Sequence, residues 1–178
     1  MKALLIIDMQ MDMQNRIEAG RDCVNPDAPE RIAALADTFR RQGLPVLHVR
    51  HSENDPNSAF HPDAAGHQPM ACDHALEGEP VFVKTSSSAF ATTDLANFLN
   101  GRGLTELFVT GAVAGFCVNS TVRAGADLGF RMTVVRDAVL GFDLPAAGQS
   151  ARAIFDVTMA LLEADFARMV DSAAGLAA

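Results

Sequence analysis

Apolar and polar positions follow two rhythms along this chain. Short apolar-rich runs recur at residues 3–7, 45–49, 80–83, 106–110, 132–135 and 167–170, and the one at 3–7 is continuous. Runs of this length between turn residues predict strands, and an uninterrupted run predicts a strand covered on both faces. Between them the spacing turns helical. Residues 29–42 put Ile32, Leu35, Ala36 and Phe39 on one face and stop at Gly43. Thr93 opens a helix with Leu95, Phe98 and Leu99 inward, ended by Asn100-Gly101. Residues 118–128 form an amphipathic stretch that stops at Gly129. Residues 145–164 predict a long helix with Ile154, Val157, Leu161 and Leu162 as its buried stripe, and residues 172–178 a short one. Residues 53–78, rich in Pro, His, Asp, Gly and Asn, read as a long excursion. Loops this long in compact domains are usually functional or mobile.

Repeated β-α units predict an α/β fold: a doubly wound three-layer sandwich around a central, mostly parallel six-stranded sheet, with 167–170 as an edge strand. The length of 178 residues suits a single domain, 1–178. Hydrophobic residues make up 49% and charged ones 20%, which excludes a disordered chain. Net charge is -8 with no basic cluster, so neither nucleic acid nor an anionic membrane is an expected partner. Cys23, Cys72 and Cys117 are widely spaced and form no CxxC, which indicates neither a disulfide framework nor a zinc knuckle. No leader or membrane span is visible, and a cytoplasmic location is expected. Trp and Tyr are absent, so Phe must supply any aromatic wall.

In a doubly wound sheet, ligands bind outside the carboxyl ends of the strands. Asp8 directly follows the first apolar run, Lys84 directly follows Val81-Phe82-Val83, and Cys117 lies just past the 106–110 run, where a small-residue turn meets a helix. Each alone has a plain reading: a loop cap, a solvated lysine, a buried core thiol. Together they supply an acid, a base and a thiol at one rim. A carboxylate can accept the thiol proton and pass it to a leaving amine, and an ammonium favours thiolate. Free N–H groups at the turn-to-helix junction favour a thiolate and can stabilise a tetrahedral oxyanion. No GxGxxG follows the first strand, which removes a dinucleotide-dependent oxidoreductase.

Three blocks in order resemble the isochorismatase-like cysteine hydrolases, which include nicotinamidases and N-carbamoylsarcosine amidohydrolase. They are Leu5-Ile6-Ile7-Asp8-Met9-Gln10, the block from Val83-Lys84 to Phe90, and Gly111 to Val118 with Arg123 and Asp127-Leu128-Gly129 beyond. His48-Val49-Arg50-His51 also resembles a strand common in that family. The resemblance implies its Rossmann-like fold and the roles of Asp8 as base, Lys84 as electrostatic partner and Cys117 as nucleophile. It implies a cis peptide between Ala112 and Val113 and an oxyanion hole from the N–H groups of Val113 and Cys117. Met13, Ser88, Phe90 and Phe116 are the expected pocket residues, although Phe90 also suits the core and Ser88 a turn. Where many members carry Thr and a polar residue this chain has Ala114 and Gly115, and Met13 replaces a common Phe. His51, His61, His67 and His74 fall in or near the excursion, but Arg50-His51-Ser52 does not reproduce the Asp-x-His pattern of metal-binding relatives. No metal and no cofactor are expected. The resemblance implies a homodimer or homotetramer acting on a small molecule.

These readings converge on hydrolysis of a C–N bond in a small amide, ureide or carbamoyl compound through a Cys117 thioester. Vinyl-ether hydrolysis of the isochorismatase type is a variant, whose branch generally lacks the cysteine. A non-catalytic binding module with a redox-sensitive Cys117 is the alternative of a different class.

Overall fold

The computed structural model describes residues 1–175. Six parallel strands form the central sheet: β1 (Lys2–Ile7), β3 (Val46–His51), β4 (Val81–Lys84), β5 (Glu106–Gly111), β6 (Arg131–Val139) and β8 (Ala167–Val170), in the order β4-β3-β1-β5-β6-β8. The small β2 (Cys23–Val24) and β7 (Gly141–Phe142) pair antiparallel at one end. Along β1 the side chains alternate between two cores. Ala3, Leu5 and Ile7 join the residues under α3 (Leu95–Gly101), α4 (Asn119–Asp127) and α5 (Ala151–Asp165). Leu4 and Ile6 join the core under α1 (Met11–Glu18) and α2 (Ala28–Arg41). Burial on both faces is why β1 reads as an unbroken apolar run.

The chain runs outward from β1 to β3 and β4, then returns to β5 on the other side of β1. This reversal opens a crevice at the carboxyl ends of β1 and β5. Their register runs to the last pair, Ile7 with Gly111, so the segments after both strands leave side by side.

Four expectations need correction. The helix read as 145–164 is two elements, a 3-10 turn (Pro145–Ala147) and α5. Gly148, at φ 65, turns the chain between them, and Ser150 caps α5 by accepting the Ala153 amide. The buried stripe of α5 is Ala151, Phe155, Thr158, Met159 and Leu162, whereas Val157 and Leu161 are 61% and 53% exposed. The helix read from 118 is preceded by a π-helical turn (Ala114–Val118), so Cys117 lies within that turn. Lys84 is the last residue of β4. Of the tail helix, α6 (Ser172–Gly175) is described, and residues 176–178 lie outside the described residues. Among the described residues no helix is long and apolar enough to cross a membrane.

Candidate active site

Asp8 turns the chain as it leaves β1. Its φ is 50, a left-handed conformation that Asp tolerates better than most side chains, and its amide donates to Val49 O at 2.8 Å. The carboxylate is thereby held in the crevice, 3% exposed. Lys84 comes from two strands away and is fully buried. Its Nζ lies 2.7 Å from Asp8 Oδ2 and donates to Cys117 Sγ at 3.3 Å. The three residues named from the sequence therefore meet at one point. Asp8 Oδ1 is buried and has no hydrogen-bond partner among the described residues.

Cys117 is brought there by a tightly tied turn. Gly111 has φ 111, and a Cβ at this position would stand 2.0 Å from Ile7 O, so only glycine lets β5 end against β1. The Ala112–Val113 peptide is cis. Ala112 N–H donates to Ile7 O at 2.8 Å and Ala114 N–H to Leu140 O at 2.8 Å. The Phe116 and Val118 amides both donate to Val113 O, at 3.0 and 3.3 Å. π-helical turns inside helices are frequent at functional sites.

Burial sets the protonation states. It pushes the Asp8 carboxyl up from 3.8, against the charge and hydrogen bond of Lys84 that pull it down. Burial, then the Asp8 charge, push the Cys117 thiol up to about 12 in spite of Lys84. At the thiol, desolvation and the Asp8 charge outweigh Lys84. The arrangement is a protonated thiol beside a carboxyl with heightened basicity and a fixed cation.

The cavity above these groups holds about 430 Å³, at the low end of small-molecule sites. Met13 and Phe116 line it, as the sequence reading has it. Ser88 and Phe90 do not. Phe90 stacks on Phe130 with centroids 5.6 Å apart and packs against the core, while Ser88 Oγ accepts the Phe90 amide at 3.2 Å in a local turn. Of the polar strip Ser86-Ser87-Ser88 that follows Lys84, which the sequence reads as either pocket lining or a turn, Ser86 and Ser87 line the cavity together with Thr85. Sequence reasoning also missed Arg16, His51, Glu53 and Phe60 as lining residues. His51 ends β3 in register with Lys84, a signal present in the apolar run that precedes it. Phe60 and Glu53 lie in the excursion, where no periodicity points to a position.

The histidines of this region are dispersed. His51 contacts Lys84 and Glu53, His61 Nδ1 accepts the Asp63 amide, and His67 Nε2 is buried without a partner among the described residues. Among those residues no group of three or more His, Cys, Asp or Glu is placed to hold a metal ion.

A family model for the isochorismatase domain matches residues 2–166. The fold superposes with a TM-score of 0.92 on an isochorismatase-family protein from Chromobacterium violaceum, 32% identical, covering 99% of this chain and 92% of that one. A streptothricin hydrolase of Streptomyces noursei is 30% identical over 82% of this chain, which spans about half (52%) of that protein. An N-carbamoylsarcosine amidase of an Arthrobacter species is 40% identical over 63 residues, 35% of this chain and 24% of that one.

Proposed function

Since the chain belongs to the isochorismatase family of hydrolases, we propose that it cleaves a C–N bond of a small amide, ureide or carbamoyl compound through a thioester on Cys117. The observation that carries this reading is the meeting of Lys84 Nζ with Asp8 Oδ2 at 2.7 Å and Cys117 Sγ at 3.3 Å in a buried corner of the cavity. Its relationship to a protein named an amidase points the same way.

Cys117 Sγ attacks the substrate carbonyl carbon as its proton passes to Asp8, whose raised basicity suits that task. Lys84 holds its charge beside the sulfur, where negative charge gathers during proton loss. The Val113 and Cys117 amides are the donors that the family resemblance assigns to the oxyanion; the neighbouring Ala112, Ala114, Phe116 and Val118 amides are committed to backbone acceptors. The tetrahedral intermediate collapses by breaking its C–N bond, and the leaving amine takes the proton from Asp8. Water then attacks the thioester carbonyl, giving one proton to Asp8. The C–S bond breaks, the acid product leaves, and the sulfur regains the proton.

A mere binding module needs no base or buried ammonium beside its thiol. The test is an ammonia-release screen over primary amides, ureides and carbamoyl compounds, with Cys117→Ala as the blank. Cys117→Ala and Cys117→Ser are expected to lose turnover at least about a thousandfold while keeping the wild-type circular dichroism spectrum. An alanine variant with wild-type turnover would end the proposal.

A further inference from the structure

Lys84 reaches Asp8 across the carboxyl end of β3, because β3 lies between β4 and β1. His51 stands at that end, in register with Lys84. The ammonium is fully buried, so protein acceptors must serve its three N–H donors. Asp8 Oδ2 and Cys117 Sγ take two of them. The third meets His51 Nδ1 at 3.2 Å. A ring nitrogen that accepts carries no proton, so the neutral imidazole bears its proton on Nε2. Nε2 lies 3.0 Å from Glu53 Oε1, the acceptor that such a proton requires.

The backbone and the ring of His51 are held by further contacts. Its amide donates to Gln10 Oε1 at 2.8 Å, and Gln10 Nε2 donates to its carbonyl at 3.0 Å. Phe60 meets the ring edge-on, with centroids 5.3 Å apart. Glu53 is held by its own amide donating to Phe60 O at 3.1 Å. Hydrogen bonds from Ser58 and then His51 keep the Glu53 carboxyl below its ordinary value, so it stays an acceptor. A histidine that only filled space would need neither a tautomer-selecting carboxylate nor a backbone clamp.

We propose that His51 and Glu53 are a positioning pair for Lys84: Glu53 fixes the imidazole tautomer, and the Nδ1 lone pair so exposed holds the ammonium on Asp8 and Cys117. The inference deepens the function proposed above and rests on its assignment of Lys84 and Cys117. Without the Nδ1 acceptor, one N–H of a buried ammonium is unpaired. The lysine then draws in water or shifts its seat, and the charge no longer stands beside the sulfur.

The test reads the thiol directly and needs no substrate. Carboxamidomethylation of the native protein by iodoacetamide is timed at fixed pH, and peptide mass spectrometry reports which cysteine carries the label. His51→Ala is expected to slow labelling of Cys117 about tenfold. His51→Asn is expected to stay within about threefold of wild type, because its Oδ1 replaces the Nδ1 acceptor. Glu53→Gln, which keeps the acceptor oxygen but loses the charge that selects the tautomer, is expected to slow labelling about threefold. A structural role alone would impair the alanine and asparagine variants equally. Wild-type labelling in His51→Ala, or an asparagine variant as slow as the alanine one, overturns the inference. Wild-type labelling in Glu53→Gln overturns the pairing with Glu53. Should His51→Ala fail to fold, the asparagine and Glu53→Gln variants decide: wild-type labelling in the latter, or tenfold slowing in the former, refutes it. Label found on Cys23 or Cys72 in place of Cys117 in the wild type instead refutes the assignment of Cys117, a separate failure.

Discussion

At Glu79, donors from three segments converge on one carboxylate. Arg40 grips it through Nε at 2.7 Å and Nη2 at 2.9 Å, the Leu76 amide donates at 2.8 Å, and His48 Nε2 lies 3.0 Å away. Burial by itself would raise the carboxyl; the hydrogen bonds outweigh it and hold the group at about 2, down from 4.5. The folded carboxylate thus binds its proton more weakly than the unfolded one. Its contribution to stability is fully present above pH 4.5 and is lost as pH falls through about 2. Glu79→Gln is expected to cost about 2 kcal/mol at neutral pH. The gap to wild type should close between pH 4.5 and about 2, which urea unfolding over a pH series measures. A gap that does not narrow in that window would place the cost in packing and not in charge. Cys117 shows the opposite balance: there burial and a neighbouring carboxylate outweigh one ammonium, and the thiol rises. Counting donors around a buried acid decides the sign in both cases.

Among the elements, the central strands were the most legible, α1 and the short β2 and β7 went unread, and α5 was read with the wrong face. β1 and β4 are short apolar runs followed at once by a charge, and that feature exposed Asp8 and Lys84. Cys117 could be placed after β5, but the π-helical turn that holds it has no periodicity of its own. In α5 the apolar residues outnumber the buried positions, so more than one stripe can be drawn through them. Geometry selects the one containing Phe155, which is 1% exposed and packs against Gly141. Val157 lies on the opposite side, 61% exposed. Phe155→Ala is therefore expected to cost about 3–5 kcal/mol. Val157→Ala should change stability by less than about 0.5 kcal/mol. Urea unfolding of the two variants checks the assignment, and equal losses would favour the stripe drawn from sequence. Within the polar strip after Lys84, Ser88 was misplaced for a similar reason. A run of Thr85, Ser86, Ser87 and Ser88 does not reveal which of its members turn inward, and Ser88 is drawn away by its bond to the Phe90 amide.

At the scale of the molecule, the excursion between β3 and β4 is docked to both the sheet and α1. Gln10 Nε2 donates to His67 O at 2.8 Å, the Met11 amide to Gln68 O at 2.8 Å, and the Met70 amide to Met9 O at 2.9 Å. The strongest anchor is Asp73. It is fully buried, paired with the fully buried His48, and gripped by Arg50 Nε at 3.0 Å. Arg50 Nη2 also donates to its carbonyl at 2.9 Å. Both partners of the Asp73 side chain belong to β3, so the excursion is fastened to the strand that ends in His51. Glu53 and Phe60, which it carries, are brought to the cavity by that fastening. Composition alone suggests a loose segment here; its ties run through single side chains, which hydropathy does not register. Asp73→Ala removes the carboxylate that Arg50 grips and that His48 Nδ1 meets, leaving His48 with Glu79 as its remaining acidic neighbour, at an expected cost of about 3 kcal/mol. The same variant is expected to gain cleavage sites within residues 53–78 under native limited proteolysis, together with slower turnover because Glu53 and Phe60 lose their support. Peptide mapping of the digest distinguishes the outcomes. Destabilisation without new cuts in 53–78 would mean that the excursion unfolds only with the sheet. New cuts there before any global melting would mean that Asp73 fastens a separately opening wall of the active site.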